Sequence, residues 1–173
     1  VAEQSAPVHV ARKLGFGKCR LAVAVRRADP YDGPASLSGK HIATSYPNLL
    51  AGFLTEHGVD ASVHTISGSV EIAPGIGLAD AVCDLVSSGS TLLSNGLREV
   101  ETILRSEAVL IARPDLPDSL QALTDRLLFR IAAVREADDH KYILLNVPNE
   151  RIEDVSRMLP GMKSPTVVPL ERA

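Results

Sequence analysis

The sequence predicts an α/β fold with a largely parallel sheet, and three observations support this prediction. Hydrophobic residues make up 45% of the 173 residues, which is enough for a core of ordinary proportions. Charged residues make up 23%, so we do not expect global disorder. Segments typical of strands alternate with segments typical of helices, which is the order that β-α-β units produce.

The composition argues against a general nucleic-acid-binding protein. There are 18 Lys and Arg residues against 21 Asp and Glu residues, giving a net charge of −3 where such proteins usually have a basic excess. Aromatic residues make up 3% with no Trp, so stacking platforms for single strands are not expected. A local anion site is still compatible with this balance, because backbone N–H groups can hold a phosphate without adding charge.

The cysteines and the hydropathy predict a location in the cell. Cys19 and Cys83 both lie in apolar runs without metal-ligand spacing, which favours two reduced, partly buried thiols. No apolar run approaches the length of a membrane span, and the N-terminus shows no secretion signal. We therefore expect a cytoplasmic protein that does not associate with membranes.

The elements of the first half follow from hydrophobic patterning and turn formers. Residues 1–13 are polar and unpatterned, which predicts a tail or a linker. A helix is predicted after Ser45, its N-cap, with Pro47 in the first turn and His57-Gly58 at the end. Runs typical of strands cover residues 19–25, 41–44, 61–66 and 79–86.

The second half begins with a short helix, predicted at residues 92–97. Two extended pieces are predicted within 99–112, and the prolines at 114–117 mark a boundary. Aliphatic residues at helical spacing then predict a long helix over 119–137.

The last residues predict a second β-α-β unit. Its helix is capped by Asn149 and stopped by Pro160-Gly161, both common residues at helix ends. The three predicted elements are strand 141–147, helix 149–159 and strand 166–170.

The segment of greatest chemical interest lies where a predicted strand passes through a short loop into a helix. Such a loop aims several N–H groups in one direction, and Gly89 permits a close backbone approach. A carboxylate at Asp84 would repel a phosphate, so its natural partners are sugar hydroxyls or a metal ion. The pattern fits a phosphate-binding loop, but on pattern alone an ordinary capped helix start is the commoner explanation. The hydroxyl residues of this loop are Ser87, Ser88, Ser90 and Thr91.

Two other turns are weaker candidates. Thr44, Ser45 and Tyr46 form another strand-to-helix turn, which would either orient an anionic or polar group or simply cap the helix. Ser69 and Glu71 lie in a third turn, where Glu71 is either a ligand or an ordinary acid of a helix N-terminus. The five histidines form no cluster in the sequence, and none is assigned to catalysis.

Several strings occur in an order that resembles a known family. They are 14–21 (LGFGKCRL), 42–47 (IATSYP), 68–71 (GSVE), 77–92 (GLADAVCDLVSSGSTL) and 95–101 (NGLREVE). From about Leu14 to Leu170 the chain resembles the long form of ATP phosphoribosyltransferase, the first enzyme of histidine biosynthesis. The usual loop of that family has Thr where this chain has Ser88, and both residues carry a hydroxyl.

The resemblance implies an enzyme that couples ATP to phosphoribosyl pyrophosphate with Mg²⁺ as cofactor. N1 of the adenine attacks the anomeric carbon, and pyrophosphate leaves with inversion. The loop from Asp84 to Thr91 would hold the 5′-phosphate, and Asp84, the residue assigned to catalysis, would meet the ribose hydroxyls. The full-length family also implies a homo-oligomer that binds histidine as a feedback inhibitor.

The resemblance also implies an architecture like that of periplasmic binding proteins, with two α/β lobes of which the first is incomplete. Half of a ferredoxin-like (βαβ) regulatory domain would follow, so the chain is expected to be a fragment truncated at both ends. The expected domains are a tail and crossover strand left from the first lobe (1–38), the second lobe with the phosphate loop (39–97), return crossover strands (98–114), and a helix with the partial regulatory domain (115–173).

Two other functions stay open. A non-catalytic two-lobed module that binds a small anion or solute is compatible with the same fold, because fold does not fix function. The lack of a secretion signal counts against it. A type I phosphoribosyltransferase is disfavoured, because that class has two adjacent acids before the loop whereas Cys83 precedes Asp84 here.

Overall fold

The computed structural model describes residues 1–138, 140–159 and 165–169. The chain divides into two units, residues 1–123 and residues 124–173. The first unit contains all the strands of the described residues and every residue of the candidate sites.

A five-stranded sheet forms the centre of the first unit. Its strands are β2 (Cys19–Arg26), β3 (His41–Thr44), β4 (Ser62–Thr65), β5 (Ala81–Val86) and β6 (Leu97–Ser106). Their spatial order is β4-β3-β5-β2-β6. β3 runs parallel to β4 and β5, whereas β2 is antiparallel to both β5 and β6.

The sheet is therefore mixed: β6 runs in the same direction as β3, β4 and β5, and β2 runs in the opposite direction. The prediction of a largely parallel sheet is wrong for β2. Residues 21–25 of β2 are buried on both faces, as expected for a central strand. Such a continuous apolar run is also typical of a buried parallel strand. Hydrophobicity shows that this strand is central but carries no information on its direction.

Side chains alternate along β2 between two hydrophobic cores, one on each face of the sheet. Leu21 and Val23 contribute to the core that also contains Ile42, whereas Ala22 and Ala24 contribute to the other. This alternation is the period-two geometry of a strand.

Two helices follow strands of this sheet. Helix α1 (Pro47–Glu56) ends at His57-Gly58 as predicted, but its N-cap is Tyr46, whose side chain makes no capping hydrogen bond. Ser45 is thus not the cap, because its hydroxyl donates to the carbonyl of Ile66 at 2.7 Å. Helix α2 (Ser90–Ser94) begins directly after the loop, so the predicted helix over 92–97 is wrong in both bounds. Its predicted last residue, Leu97, starts β6 and is buried.

A second, two-stranded sheet pairs β1 (His9–Lys13) with β7 (Val109–Ala112) in antiparallel register. The prediction of a tail is therefore wrong for residues 9–13. Backbone pairing with a segment about a hundred residues away produces this strand, and the polar sequence of β1 gives little sign of it. The two extended pieces predicted within residues 99–112 are confirmed as β6 and β7.

Helix α3 (Asp118–Asp138) agrees with the predicted helix within one residue at each end. In the second unit a 3-10 turn (Asn149–Arg151) leads into α4 (Ile152–Met158). The N-cap of the turn is Pro148, so the prediction of Asn149 as cap is wrong.

The strand predicted at 141–147 is not found, since residues 140–148 have no regular structure. Tyr142 and Leu144 are exposed there, and no strand among the described residues pairs with the segment. Residues 166–169 also lack a strand, while Leu170 and the predicted stop Pro160-Gly161 lie outside the described residues. Among the helices that the structure describes, none is long and apolar enough to cross a membrane.

Candidate functional site

The loop between β5 and α2 has the local geometry of an anion receptor. Gly89 is the N-cap of α2 and has φ 83° and ψ 0°, a left-handed conformation that side chains disfavour. The N–H groups of the first helical turn consequently point out of the end of α2. Because α2 has five residues, its dipole is small, and the loop amides themselves are the main donors.

These amides are available to a ligand. Within the described part of the chain, the N–H groups of Ser88, Gly89 and Thr91 donate to no protein acceptor. The Ser90 N–H lies 3.4 Å from the Ser88 hydroxyl, which is too long for a strong hydrogen bond. The hydroxyls of Ser88 and Ser90 contact each other at 2.9 Å. The loop therefore has unpaired amides next to two hydroxyls, and both are groups that can donate hydrogen bonds to a phosphate.

A surface cavity of about 460 Å³ adjoins the loop. Ser88, Gly89 and Ser90 form one wall. The guanidinium of Arg27 has no hydrogen-bond or ion-pair partner among the described residues, and it adds positive charge to the cavity. The remaining lining combines charged and aliphatic side chains: Arg20, Arg98, Glu99, Leu92, Leu93 and Leu97.

Arg20, on β2, connects the first residue of the loop to the sheet through hydrogen bonds. Its guanidinium donates to both carboxylate oxygens of Glu99 at 2.6 Å and to the carbonyl of Ser87 at 3.0 Å. A bidentate, charge-assisted pair of this kind is geometrically specific. The hydrogen bond from Arg20 lowers the pKa of Glu99 below its ordinary value, and the same bond raises the pKa of Arg20. The carbonyl of Ser87 is thereby held towards Arg20 and away from any anion in the loop.

Asp84 lies half-buried on β5, three residues before the loop. Thr44 pairs with Cys83, so Asp84 is level with the turn that follows β3. Burial raises the pKa of Asp84 above its ordinary value, a hydrogen bond from the Leu85 N–H opposes this, and the charge of Glu71 raises it further.

The structure brings two of the weaker candidates within electrostatic range of Asp84, namely Glu71 and Tyr46. Burial raises the pKa of Tyr46, and the charge of Asp84 raises it further. Ser69 is the N-cap of the 3-10 turn Val70–Ile72. It has a left-handed conformation with φ 50°, and its side chain makes no capping hydrogen bond. Thr44 is fully buried and its hydroxyl accepts the Tyr46 N–H at 2.8 Å, so it is not accessible to a ligand.

The N-terminus of α1 is already occupied by a carboxylate of the chain itself. The two oxygens of Glu3 accept the N–H groups of Asn48 and Leu49 at 2.8 and 2.9 Å. The Asn48 side chain also donates to the Glu3 carbonyl at 3.0 Å. Two amides at the start of α1 are therefore already bonded to a carboxylate of the chain itself, and the hydroxyls of the preceding turn take no part in this contact.

The two thiols are separate, as predicted, and both cysteines are free. Cys83 is fully buried, and burial raises its pKa to about 12, so it remains a protonated thiol. Cys19 is half-buried. Neither cysteine lines the cavity beside the loop.

Sequence reasoning missed several residues of this region. Arg20 and Glu99 are 79 positions apart, and only the antiparallel pairing of β2 with β6 brings them together. A charged residue inside the apolar run of β2 was the one signal available. The five histidines form no cluster in the sequence, but the structure brings two of them, His41 and His64, together, with ring nitrogens 3.1 Å apart. Among the described residues, no group of three or more histidine, cysteine, aspartate or glutamate residues could hold a metal ion.

Comparison with known proteins gives the chain clear relatives. Residues 1–133 match a family model described as ATP phosphoribosyltransferase, and residues 137–173 match one described as HisG, C-terminal domain. The chain is 59% identical over 159 residues to an ATP phosphoribosyltransferase of Cytophaga hutchinsonii, covering 92% of this chain and 56% of the relative. It is 52% identical over 168 residues to an ATP phosphoribosyltransferase of Bacteroides fragilis, covering 97% and 59%. The chain thus spans less than two thirds of the length of these relatives.

Solved structures show the fold. An ATP phosphoribosyl transferase (HisG:HisZ) complex from Thermotoga maritima matches with a TM-score of 0.63 and 21% identity, over 81% of this chain and 66% of that one. A histidine kinase sensor domain with similarity to periplasmic binding proteins matches with a TM-score of 0.55 and 16% identity, over 76% and 59%. The predicted likeness to periplasmic binding proteins is thereby confirmed.

Proposed function

The chain belongs to the ATP phosphoribosyltransferase family, and we propose that it takes part in transferring the phosphoribosyl group of phosphoribosyl pyrophosphate to N1 of ATP. Pyrophosphate is the second product, and the reaction is the first step of histidine biosynthesis. The free amides of Ser88, Gly89 and Thr91 are the observation that supports this proposal most strongly. They are suited to the 5′-phosphate of the sugar, which carries charge but no reacting atom.

In this proposal Asp84 acts on the ribose. Its carboxylate lies on the strand that leads into the loop, so a sugar whose phosphate is held by the loop would present its hydroxyls to Asp84. A carboxylate accepts hydrogen bonds from hydroxyls and also stabilises positive charge that develops on the ribosyl ring. The raised pKa of Asp84 has burial as its main cause, and a cationic ribose would favour the ionised form.

The reaction as proposed needs no nucleophile from the protein. N1 of the adenine attacks the anomeric carbon as the bond to pyrophosphate breaks, so one displacement inverts that carbon. The chain's contribution is to fix the phosphate end of the sugar and to exclude alternative orientations, which lowers the entropic part of the barrier. Arg20 serves this positioning by holding the carbonyl of Ser87.

Mg²⁺ is proposed as the cofactor. Mg²⁺ is usually held by one or two carboxylates together with substrate phosphates rather than by an all-protein cage. No group of three or more histidine, cysteine, aspartate or glutamate residues within the described residues could hold the ion by itself, so the chain would supply at most one or two carboxylates, of which Asp84 and Glu71 are the candidates, and the substrate phosphates would supply the rest. When bound, Mg²⁺ would neutralise charge on the pyrophosphate leaving group.

Assembly and regulation are proposed from the same family membership. Residues 137–173 match the C-terminal domain model, so we propose that this part belongs to a domain through which histidine inhibits the complete enzyme. We also propose that the complete protein is a homo-oligomer.

The alternative function is a non-catalytic module for small anions. The fold likeness to periplasmic binding proteins is compatible with it, but at 16% identity this likeness concerns the fold alone. The two functions differ in what Asp84 does, because a phosphate-binding module has no use for a half-buried carboxylate beside its anion.

The experiment is a pair of Asp→Asn substitutions measured by calorimetric titration with phosphoribosyl pyrophosphate and by formation of phosphoribosyl-ATP. We expect D84N to lose turnover and to bind the sugar phosphate more weakly, while D60N behaves as the wild type because Asp60 is exposed and lies before β4. Unchanged turnover in D84N would reject the proposed role. Unchanged affinity of D84N for phosphoribosyl pyrophosphate, in a wild type that binds it, would support the module instead.

A further inference from the structure

Two histidines form a pair on the surface of the sheet, away from the phosphate loop. His41 opens β3 and His64 lies on β4, the edge strand that runs parallel to it. His64 pairs with Ala43, so the two imidazoles project from the same face of the sheet. The rings meet edge to face, with centroids 5.1 Å apart and planes at 71°. Both side chains are exposed.

The separation of the facing nitrogens matches that of two ligands on one metal ion. Nδ1 of His41 lies 3.1 Å from Nε2 of His64. Two imidazole nitrogens bound to zinc at about 2.0–2.1 Å lie roughly 2.9–3.4 Å apart, for angles between about 90° and 109° at the metal. The observed separation lies inside this range, so the two nitrogens are already at the distance that chelation of one ion requires, and rotation of the rings about their side-chain bonds would direct the lone pairs to it.

We propose that His41 and His64 form a binding site for a divalent metal ion that prefers imidazole, with zinc as the reference ion. Neutral imidazole is a good ligand for zinc, copper and nickel and a poor one for magnesium. Because no third histidine, cysteine or acid completes a cluster within the described residues, water molecules fill the other coordination positions. The site is distinct from the proposed magnesium site, which uses carboxylates and substrate phosphates.

Binding of the metal ion by the two imidazoles releases no proton to the solvent. In the present pair one ring nitrogen donates a hydrogen and the other accepts it. A metal ion needs a lone pair from both nitrogens, so the donor ring changes tautomer and its proton moves to its other nitrogen. Each ring stays neutral, and the hydrogen bond between them is replaced by two bonds to the metal.

The backbone around His41 is already fixed, which favours chelation. The N–H of His41 donates to the Asp80 carboxylate at 2.9 Å, and the His41 carbonyl accepts the Asp80 N–H at 2.8 Å. The carboxylate adds negative charge at this strand end without being a ligand. A bound ion would connect the edge strand β4 to β3 by side chains as well as by the backbone ladder. Its expected effect is to slow the opening of β4.

The test is calorimetric titration of the full chain with zinc chloride. We expect one zinc ion per chain, and roughly tenfold or greater weakening when either ligand is removed in H41Q or H64Q, because a single imidazole loses the chelate. The matched control is H9Q, since His9 is exposed and lies on β1 in the other sheet. Magnesium chloride should give no binding to the pair.

A second measurement, made on the wild-type chain, tests the proposal even if the variants do not fold. In the wild-type chain, zinc should shift the imidazole proton resonances of His41 and His64 together, leaving those of His57 in place. Zinc affinity that is unchanged in both variants, or resonance shifts confined to other histidines, would overturn the proposal. Because neither histidine belongs to the phosphate loop, this result is independent of the proposed enzymatic function.

Discussion

Two strand-to-helix turns lie at the same edge of the central sheet, because β3 and β5 are parallel neighbours. One follows β3 and contains Ser45 and Tyr46, and the other follows β5 and contains residues 87–89. Both are rich in hydroxyl groups, and both lead into a helix. By sequence they are two candidates of the same kind for holding an anion.

The polar groups of the two turns differ in their hydrogen-bond partners. In the turn after β3, the Thr44 hydroxyl accepts a backbone N–H, the Ser45 hydroxyl donates to a carbonyl, and the Glu3 carboxylate takes two amides of α1. In the turn after β5, the amides of Ser88 and Gly89 donate to no acceptor in the part of the chain described. The polar groups of the first turn bond within the fold, whereas the amides of the second have no partner among the described residues and, in our proposal, bind a ligand.

The difference shows that hydroxyl-rich composition is a poor guide to anion binding. The deciding feature is whether the amides have internal partners, which depends on the conformation of one glycine and on contacts with distant segments. Gly89 adopts a left-handed conformation that turns the loop outward, whereas Tyr46 at the equivalent position of the other turn has φ −129°.

The largest effect is expected from G89V. A β-branched residue is strained at φ 83°, so the loop would change conformation and redirect its amides. Losing two hydrogen bonds to a charged group should weaken binding of phosphoribosyl pyrophosphate roughly a hundredfold. Calorimetric titration measures the affinity, and circular dichroism checks the fold.

The matched control for this variant is G58V. Gly58 also has positive φ, 63°, and it lies just after α1 with no neighbouring atom within 4 Å of the place that a Cβ would take. It should carry a similar backbone penalty and lower the stability while leaving the affinity as in the wild type. Equal affinity in both variants would show that the conformation of the loop does not matter for binding.

An intermediate effect is expected from Arg20. R20A removes the contact with the Ser87 carbonyl and should weaken sugar-phosphate binding by about tenfold. R20K should resemble R20A, because lysine keeps the charge but cannot bind Glu99 through two nitrogens and Ser87 at once. Wild-type affinity in R20K would instead show that charge alone is required.

A smaller effect on stability is expected from E3Q. The Glu3 carboxylate accepts two amides at the start of α1, and loss of its charge should lower the free energy of unfolding by about 1 kcal/mol. Affinity for phosphoribosyl pyrophosphate should stay within about twofold of the wild type. A clear gain in affinity would contradict the comparison, since it would make the first turn a competing anion site.

The smallest effect is expected from pH, with opposite signs for two acids. The pKa of Glu99 is lowered by Arg20, so its stabilisation is present above the ordinary glutamate pKa and is lost as the pH falls through the lowered value. The pKa of Asp84 is raised by burial, so its contribution favours folding at low pH and is lost as the pH rises through the raised value.

Thermal unfolding across the acid range separates these two groups. At neutral pH, E99Q should unfold at a lower temperature than the wild type, and D84N at a higher one. The difference between E99Q and the wild type should shrink as the pH falls below the range in which glutamate titrates. If the unfolding temperatures of E99Q and D84N change in the same direction relative to the wild type, the electrostatic account of the two acids is wrong.

Much of the first unit could be predicted because local patterns determine it. The apolar run of β2, the proline at the start of α1 and the glycine before α2 each act on their immediate neighbours. What could not be predicted depends on distant pairing. The antiparallel direction of β2, the Arg20–Glu99 pair and the contact of Glu3 with α1 all join segments more than forty residues apart.

The central claim is that the amides after β5, and not those after β3, hold the phosphate of the sugar. A titration of isotope-labelled chain with phosphoribosyl pyrophosphate, followed through backbone amide resonances, tests it directly. We predict large saturable shifts at Ser88, Gly89 and Thr91, with Asn48 and Leu49 unchanged because Glu3 occupies them. Shifts of the Asn48 and Leu49 resonances without shifts at Ser88, Gly89 and Thr91 would contradict the account.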